Sequence, residues 1–399
     1  MSQISRRQAL SFLAALGAAG LTTACGTDSD PRTDPQLSDD PIRIGLVAPR
    51  NGGDKPIGDE IVNGFRLYLE LNDQLLGGHP VTLVTADEGE TVATGTAAVD
   101  DLLKQGVLAL TGVAGSAVML GIRDTVEQAQ VPLVGSNASP TALEKVDYIW
   151  RTSFRDDESG RALGAYVASQ LVREGKLVII APDHPAGRDA VTGLQESFGR
   201  TDPRLVEPVI WTDATSNPTP STYRAKITQL TAAKPDAIFC PYGGTAAIAF
   251  LRQLRAAGYR NQVYGPGSLT EGIVLDEFKP AEIEGIMTAL NYSTDLTNAV
   301  NRRFASAYRK QHGASPTTYA VASYDAAQVL DKAIRIAGVR PSPQQVNVAL
   351  GKVGRIDSPR GVWQFNDFRT PLQKWYLRNV QHDGQLLANV LVNELATLG

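Results

Sequence analysis

Cysteine and histidine are both scarce in this chain. Its 399 residues include two cysteines and four histidines, and the histidines are scattered along the sequence. Metal sites need several such side chains at characteristic short spacings, and no such spacing occurs here. The sequence therefore predicts no metal site and no cofactor.

A surplus of basic residues and the familiar catalytic motifs are also missing. Lys and Arg total 38 against 42 for Asp and Glu, a net charge of −4, which leaves no basic footprint for nucleic acid. There is no nucleophile elbow, no Walker loop and no dinucleotide fingerprint after the first predicted strand. Asp87 and Glu88 end a predicted strand, but without a partner group a structural turn is favoured. We predict that the chain is not an enzyme, with an α/β enzyme as a less favoured alternative.

The apolar run near the amino end is short for a membrane span. Residues 9–24 form a run of 16, whereas a spanning helix needs roughly 20 residues. Arg6 and Arg7 precede the run and small residues end it, which is typical of an export signal, here predicted for residues 1–25. The arginine pair favours the twin-arginine route, and ordinary secretion stays open.

The end of this signal resembles the lipobox of bacterial lipoproteins. It reads LTTAC, so that Cys25 would become the lipidated first residue of the mature protein. Residues 26–41 are rich in aspartate, serine and proline, and we predict a disordered tether there. Lipidation leaves Cys240 as a buried thiol and no disulfide. The alternative is a signal cut near Ala24 with an incidental cysteine.

Strands alternate with helices along the rest of the chain. This order predicts an α/β fold made of two doubly wound parallel-sheet lobes. The chain crosses between the lobes three times, which predicts a hinge and a cleft at the strand ends. We place the N-terminal lobe at residues 42–155 plus 293–357 and the C-terminal lobe at 156–292 plus 358–399.

Residues 107–141 contain two successive turns rich in glycine and serine. Apolar runs predict a strand before each turn, with a helix over residues 117–129 between the strands. Ser116 and Ser139 can each cap a following helix, and helix N-termini present free N–H groups. The pair predicts a seat for a small anion such as a carboxylate, unless both serines serve only as caps.

Short motifs follow one another in order from residue 42 to the end of the chain. They are Ile44-Gly45, Gly112 to Ser116, Val131-Pro132 to Ser139, Phe154-Arg155, Pro235-Asp236-Ala237, Ala257-Gly258-Tyr259 and Tyr319 to Ala326. In order and spacing they resemble the leucine/isoleucine/valine-binding proteins, which are periplasmic binding proteins of bacterial ABC importers. The resemblance implies a type I, Venus-flytrap fold that clasps an amino acid between its lobes.

The resemblance also implies roles for the two turns. Ser116, next to Gly115, would hydrogen-bond a ligand carboxylate. Asn137 would contribute its backbone, and Ser139 its hydroxyl and N–H groups. Tyr319 would form an aromatic wall of the site, unless ordinary core packing accounts for it.

The second lobe departs from the family pattern. Gly265-Pro266 lacks the acidic residue that usually follows it for the ligand ammonium, and Ser268 and the late Glu271 are the nearby candidates. Tyr242 lies one place early for a cleft tyrosine, and Ala186 stands where an aromatic residue is usual. We therefore expect a ligand that keeps a carboxylate or similar acceptor but is not a plain branched-chain amino acid.

These observations predict an exported, membrane-anchored lipoprotein that acts as a monomer. It would capture a small carboxylate-bearing or amino-acid-like molecule and deliver it to the permease and ATPase of an ABC importer. The alternative is the same module used as a sensor that signals to a membrane partner.

Overall fold

The computed structural model describes residue 38 and residues 40–143, 146–384 and 386–399. The predicted export signal, Cys25 and most of the predicted tether lie outside these described residues. Among the described helices, none combines the length and apolar character needed to cross a membrane.

The first lobe is built on a six-stranded sheet. Its first elements are β1 (Ile42–Ala48), α1 (Lys55–Leu71), β2 (Leu75–Leu76), β3 (His79–Asp87), α2 (Val92–Lys104), β4 (Ala109–Gly112), α3 (Ser116–Ala129), β5 (Leu133–Gly135) and β6 (Ile149–Arg151). The strand order is β2-β3-β1-β4-β5-β6, and all pairs are parallel except the short β2–β3 hairpin. Ile44 and Val47 of β1 belong to different apolar clusters, so both faces of the sheet are covered.

The second lobe starts with a similar alternation. Its first elements are α4 (Glu158–Gln170), β7 (Leu177–Pro182), α5 (Pro185–Phe198), β8 (Leu205–Thr212), α6 (Arg224–Ala232), β9 (Ala237–Phe239), α7 (Gly244–Ala256), β10 (Gln262–Pro266), α8 (Pro280–Ile283) and β11 (Met287–Leu290). Two 3₁₀ helices, Gly267–Leu269 and Gly272–Glu277, follow β10. β7 to β11 pair in parallel, as helix crossovers between them require.

The chain then returns to the first lobe and crosses back. The remaining elements are α9 (Ala299–His312), α10 (Thr318–Ala337), α11 (Pro343–Leu350), β12 (Ile356–Ser358), β13 (Gly361–Phe365), β14 (Pro371–Asp383) and β15 (Leu386–Leu398). α10 packs on α1, where the rings of Tyr68 and Tyr324 meet edge to face at 5.1 Å. The second sheet has the order β12-β13-β14-β11-β10-β9-β7-β8, and β15 pairs with β14.

The predicted α/β fold with parallel sheets is confirmed, with differences at its edges. The second sheet is mixed, because β14 runs antiparallel to β11 and β15. The sequence predicts the first helix over residues 59–72, whereas α1 begins at Lys55. Pro56 explains this early start, since the N–H that proline lacks is unpaired in the first turn of a helix. α11 and β15 are the longer described elements that the sequence did not predict.

The three crossings meet at the carbonyl oxygen of Ser153. It accepts hydrogen bonds from Gln373 Nε2 at 2.9 Å, Arg360 Nη1 at 3.1 Å and Asn291 Nδ2 at 3.4 Å. Arg360 also forms a buried ion pair with Asp325 of α10 at 3.0 Å. Ser153, Asn291 and Arg360 lie on the first, second and third crossings, so these bonds connect all three at the base of the cleft.

Candidate functional site

A cavity of about 530 Å³ lies between the two lobes, at the carboxyl ends of the parallel strands. This is where ligands bind in open parallel sheets. Most of the predicted contact residues line it: Gly115, Ser116, Asn137, Tyr242, Ser268 and Tyr319. Ser139 and Glu271 are not among the residues that line this cavity.

The N-terminus of α3 already holds a carboxylate from the chain itself. The backbone N–H groups of Ala114 and Gly115 donate to the two carboxylate oxygens of Glu88, each at 2.7 Å. Glu88 follows β3, and β1 alone separates β3 from β4 in the sheet, so the ends of both strands reach the same place. The two N–H groups that precede α3 are therefore engaged internally, whereas the described hydrogen bonds give no acceptor for those of Ser116, Ala117 and Val118.

Ser116 is also engaged, and the prediction that its side chain caps α3 is wrong. Gly115 is the N-cap residue, and no side chain caps this end of the helix. The Ser116 hydroxyl donates instead to Asp156 Oδ2 at 2.7 Å. The Asp156 backbone N–H in turn donates to the carbonyl oxygen of Ser139 at 3.0 Å. These bonds attach the turn after β6 to both predicted ligand-binding turns.

The second predicted helix N-terminus does not exist among the described residues. No helix follows Ser139, because the chain forms a turn and then extends toward β6. The Ser139 hydroxyl is buried without a hydrogen-bond partner, while the Asn137 side chain donates to the carbonyl oxygen of Ala114 at 2.8 Å. The predicted seat of two adjacent helix ends is thus wrong.

Four carboxyl groups line the cavity, and its described lining contains no lysine or arginine. The four residues are Asp54, Glu88, Glu90 and Asp156. Burial raises the pKa of Glu88 to about 7, with the nearby carboxyls of Asp54 and Asp87 adding to the shift. Burial likewise raises the pKa of Asp156 to about 7. Burial and the charge of Glu90 raise the pKa of Asp54.

His184 adds no positive charge to this lining at neutral pH. Burial lowers the pKa of its imidazole below the ordinary value. Its Nδ1 accepts a hydrogen bond from the N–H of Gly187 at 3.0 Å, which caps α5 and leaves the proton of the neutral ring on Nε2. The lining therefore combines several acids with a neutral histidine.

Aromatic side chains form much of the remaining wall. Tyr242 stacks on Phe250 with ring centres 4.3 Å apart, and its hydroxyl lies 3.0 Å from Thr212 Oγ1. Ser268 donates to the carbonyl oxygen of Tyr242 at 3.1 Å. Tyr319, at the start of α10, faces the cavity from the other lobe. Tyr242 thus packs in the core and lines the cavity at once, so the two interpretations of this residue are compatible.

Glu271 lies in a buried ion pair beside the cavity. Its Oε1 is 2.5 Å from Arg378 Nη1, and both side chains are almost fully buried. Its Oε2 accepts the backbone N–H of Thr318 at 3.1 Å. With Tyr319 it lines a separate small space of about 10 Å³. The carboxylate proposed for a ligand ammonium is therefore neutralised by an arginine of β14.

The lobes touch on one side of the cavity through Glu90. Its Oε1 accepts from Asn217 Nδ2 at 2.8 Å and from Ser216 Oγ at 3.2 Å. At Gly53 a Cβ atom would lie 2.0 Å from the carbonyl oxygen of Ser216, so this approach requires glycine. The contact closes the cleft at this edge.

A second contact also joins the two lobes. Asp189 of α5 accepts from the Thr141 hydroxyl at 2.7 Å and from the Thr141 backbone N–H at 2.9 Å. Thr141 follows β5, and Asp189 belongs to the second lobe. The structure therefore shows the lobes closed over the cavity.

Two α/β lobes, three crossings and a closed interlobe cavity define a two-lobed binding protein that encloses a small solute. The chain belongs to the periplasmic binding protein family, whose sequence profile matches residues 41–385. This confirms the family predicted from the motifs and the general class of an extracytoplasmic solute-binding protein.

Individual relatives agree with this assignment. Leu/Ile/Val-binding protein homolog 6 of Brucella melitensis is 24% identical over 350 residues, which cover 86% of this chain and 88% of its own length. A solute-binding protein of an ABC transporter from R. palustris, solved with benzoate, has a TM-score of 0.81 at 25% identity and covers 90% of this chain and 97% of its own. A leucine binding protein from Thermotoga maritima has a TM-score of 0.75 at 20% identity, covers 87% of this chain and 99% of its own, and shows the fold alone.

The acidic lining is the feature that sequence reasoning missed. The sequence assigns Glu88 to a structural turn, and the adjacent charges of Asp156 and Asp157 are typical of solvated surface. Their positions at the ends of β3 and β6 contain the missing signal, because these strands share one sheet edge with β4 and β5. Acids at several strand ends of one sheet converge on the same cavity.

Proposed function

We propose that this chain is a lipoprotein that captures a small amino-acid-like or carboxylate-bearing solute between its lobes and delivers it to an ABC importer. The observation that supports this most is the closed cavity of about 530 Å³ lined by both lobes. Its volume lies in the range of roughly 300–1,000 Å³ that is usual for small-molecule sites.

The connections between the lobes support capture by closure. Three crossings that converge on the Ser153 carbonyl limit the lobes to opening about one hinge. The contacts of Glu90 and Asp189 across the cleft would break on opening and form again on closing. A solute that contacts both lobes would favour the closed state through its differential affinity.

Of the two ligand descriptions, the contacts favour an amino-acid-like solute over a simple carboxylate. The benzoate of the R. palustris protein shows that the fold accepts an aromatic acid there. In this chain the N-terminus of α3 binds Glu88, and Ser116 binds Asp156. A ligand that offers hydrogen-bond donors fits these acceptors better than one that offers only an anion.

Membrane attachment and delivery complete the proposal. Lipidation of Cys25 and a tether over residues 26–41 would hold the two lobes at the outer face of the membrane, close to a permease and its ATPase. A Cys25→Ser variant is expected to leave the membrane fraction. Retention of that variant in the membrane fraction would contradict the lipid anchor.

A screen for ligands tests the proposed capture. Amino acids, amines, amides and small carboxylates are added to the purified protein, and the unfolding midpoint is measured. A solute at a hundred times its dissociation constant adds roughly 2.7 kcal/mol of stability. X-ray scattering of the same samples should show a more compact particle with the bound solute. No change in midpoint or scattering with any solute would contradict the proposal.

Substitution of a glycine separates closure from folding. A Gly53→Ala variant places a Cβ atom 2.0 Å from the Ser216 carbonyl oxygen and should prevent full closure. Gly351→Ala is the matched control, because its Cβ would lie 3.6 Å from the nearest atoms. We expect weaker binding and an open scattering profile for the first variant alone.

A further inference from the structure

We infer that the cavity selects an organic cation, an amine- or guanidinium-bearing solute whose positive group pairs with Glu88 and Asp156. The inference rests on the proposed solute-binding function and specifies the chemical class of the solute. It assigns the two carboxyl groups, rather than the α3 N-terminus, to ligand recognition.

The first argument is the imbalance of charge in the cavity. Asp54, Glu88, Glu90 and Asp156 line it, and the described lining has no lysine or arginine to neutralise them. His184 is neutral because burial lowers its pKa and its Nδ1 accepts a hydrogen bond. Buried charges in proteins are normally paired. A cation brought by the solute would supply the missing partner.

The second argument is the state of the hydrogen-bond donors. A backbone amide carries one N–H and a serine hydroxyl one O–H. The N–H groups of Ala114 and Gly115 and the hydroxyl of Ser116 each donate to a carboxylate oxygen of the chain, at 2.7 Å in each case. A ligand carboxylate would be left with the N–H groups of Ser116, Ala117 and Val118 and would lie beside these acids, where like charges repel. The same acids attract an ammonium group.

The third argument is the chemistry of the remaining wall. Phe154, Tyr223, Tyr242 and Tyr319 line the cavity together with the acids. Organic cations are held by aromatic faces as well as by carboxylates, because the ring quadrupole is negative above its face. This combination matches a solute with a positive head and an apolar or aromatic body. A carboxylate head group would gain nothing from either feature.

Matched pairs of probes test the inference. Benzylamine is compared with benzoate, and putrescine and agmatine with succinate, by thermal shift and calorimetry at pH 7.5. We expect at least one amine to raise the unfolding midpoint while every carboxylate leaves it unchanged. Binding of benzoate or succinate without binding of any amine would overturn the inference, yet leave the proposed function intact.

Variants show whether the two carboxyl groups are responsible. Glu88→Gln and Asp156→Asn should each weaken amine binding roughly tenfold or more, because a buried charge pair is lost. Glu284→Gln is the matched control, since this glutamate is half exposed and does not line the cavity. Unchanged amine affinity in both cavity variants would overturn the assignment.

The test also separates the inference from the proposed function. Amine binding accompanied by a more compact particle in scattering supports both statements. Carboxylate binding with the same compaction contradicts the inference alone. No binding of any amine or carboxylate contradicts the proposed function and the inference together.

Discussion

Two sets of buried carboxyl groups in this protein, one at the hinge and one in the cavity, differ in their partners. At the hinge, Asp325 pairs with Arg360 at 3.0 Å and Glu271 pairs with Arg378 at 2.5 Å. In the cavity, the carboxyl oxygens of Glu88 accept only backbone N–H groups. The hinge acids are therefore neutralised by the chain, whereas the cavity acids lack a cationic partner.

This difference separates structural charges from charges that can serve a ligand. An ion pair buried in the hinge fixes the geometry about which the lobes turn, and removing one partner leaves a charge without compensation. An acid without a counter-ion is itself costly to bury. The hinge ion pairs stabilise the fold. The burial cost of the cavity acids can be offset when a cationic ligand binds them.

The largest expected effect is at the hinge. Asp325→Ala leaves Arg360 buried without its carboxylate and also removes the acceptor for Ser358 Oγ and Trp363 Nε1. We expect a loss of about 3–5 kcal/mol in the free energy of unfolding, measured with denaturant. Asp101→Ala is the control, since its exposed pair with Lys104 should contribute less than about 0.5 kcal/mol. Equal losses of stability in Asp325→Ala and Asp101→Ala would contradict the structural role of the buried hinge pair.

A smaller loss is expected at the second hinge pair. Glu271→Gln keeps the shape and one acceptor for the Thr318 N–H, but removes the charge facing Arg378. We expect a loss of about 2 kcal/mol in unfolding free energy. Affinity for an amine ligand should change little, because Glu271 lies outside the main cavity. A large loss of affinity at unchanged stability would instead place Glu271 among the ligand contacts.

The fold was predictable because it depends on local patterns. Short apolar runs and turn residues indicate the alternation of strands and helices; they predict a strand from Ile42 and a helix from Val92, where β1 and α2 begin. β15 was missed because its exposed edge mixes polar and apolar residues without a buried partner face. The element depends on pairing with β14, a tertiary contact that no local pattern encodes.

The site was predictable in position but not in charge. Ser116, Asn137 and Tyr319 lie at strand and helix ends, so their place in the cavity follows from the order of elements. Whether the α3 amides are free depends on Glu88, which is 27 residues from Gly115 in sequence and meets it only through the sheet order. A contact between residues so far apart in sequence can be identified only from the three-dimensional structure.

The pH dependence of stability should reveal the cavity acids. Glu88 has its pKa raised from 4.5 to about 7, so between these values the folded state keeps a proton that the unfolded state has released. Unfolding free energy must therefore fall as pH rises from about 4.5 to about 7. In Glu88→Gln this fall should be smaller by about 3 kcal/mol, measured by denaturation across the range.

Other titratable groups near Glu88 also contribute to the pH dependence, so the experiment needs a control for them. Asp54 and Asp87 act on the charge of Glu88, and Asp156 titrates near the same pH with Asp157 and Asp189 beside it. A residual pH dependence is thus expected in Glu88→Gln, and it should shrink further when Asp156→Asn is added. An identical profile for the wild type and the double variant would contradict the raised pKa values.

The smallest expected effect distinguishes two roles of Ser116. In the structure its hydroxyl donates to Asp156, a bond that lowers the pKa of that carboxyl against the effect of burial. Ser116→Ala should therefore cost about 1 kcal/mol or less in stability and weaken amine binding near pH 7. The weakening should disappear near pH 9, where Asp156 is ionised in both proteins. If Ser116 instead binds a ligand carboxylate directly, the variant would lose affinity for that carboxylate equally at both pH values.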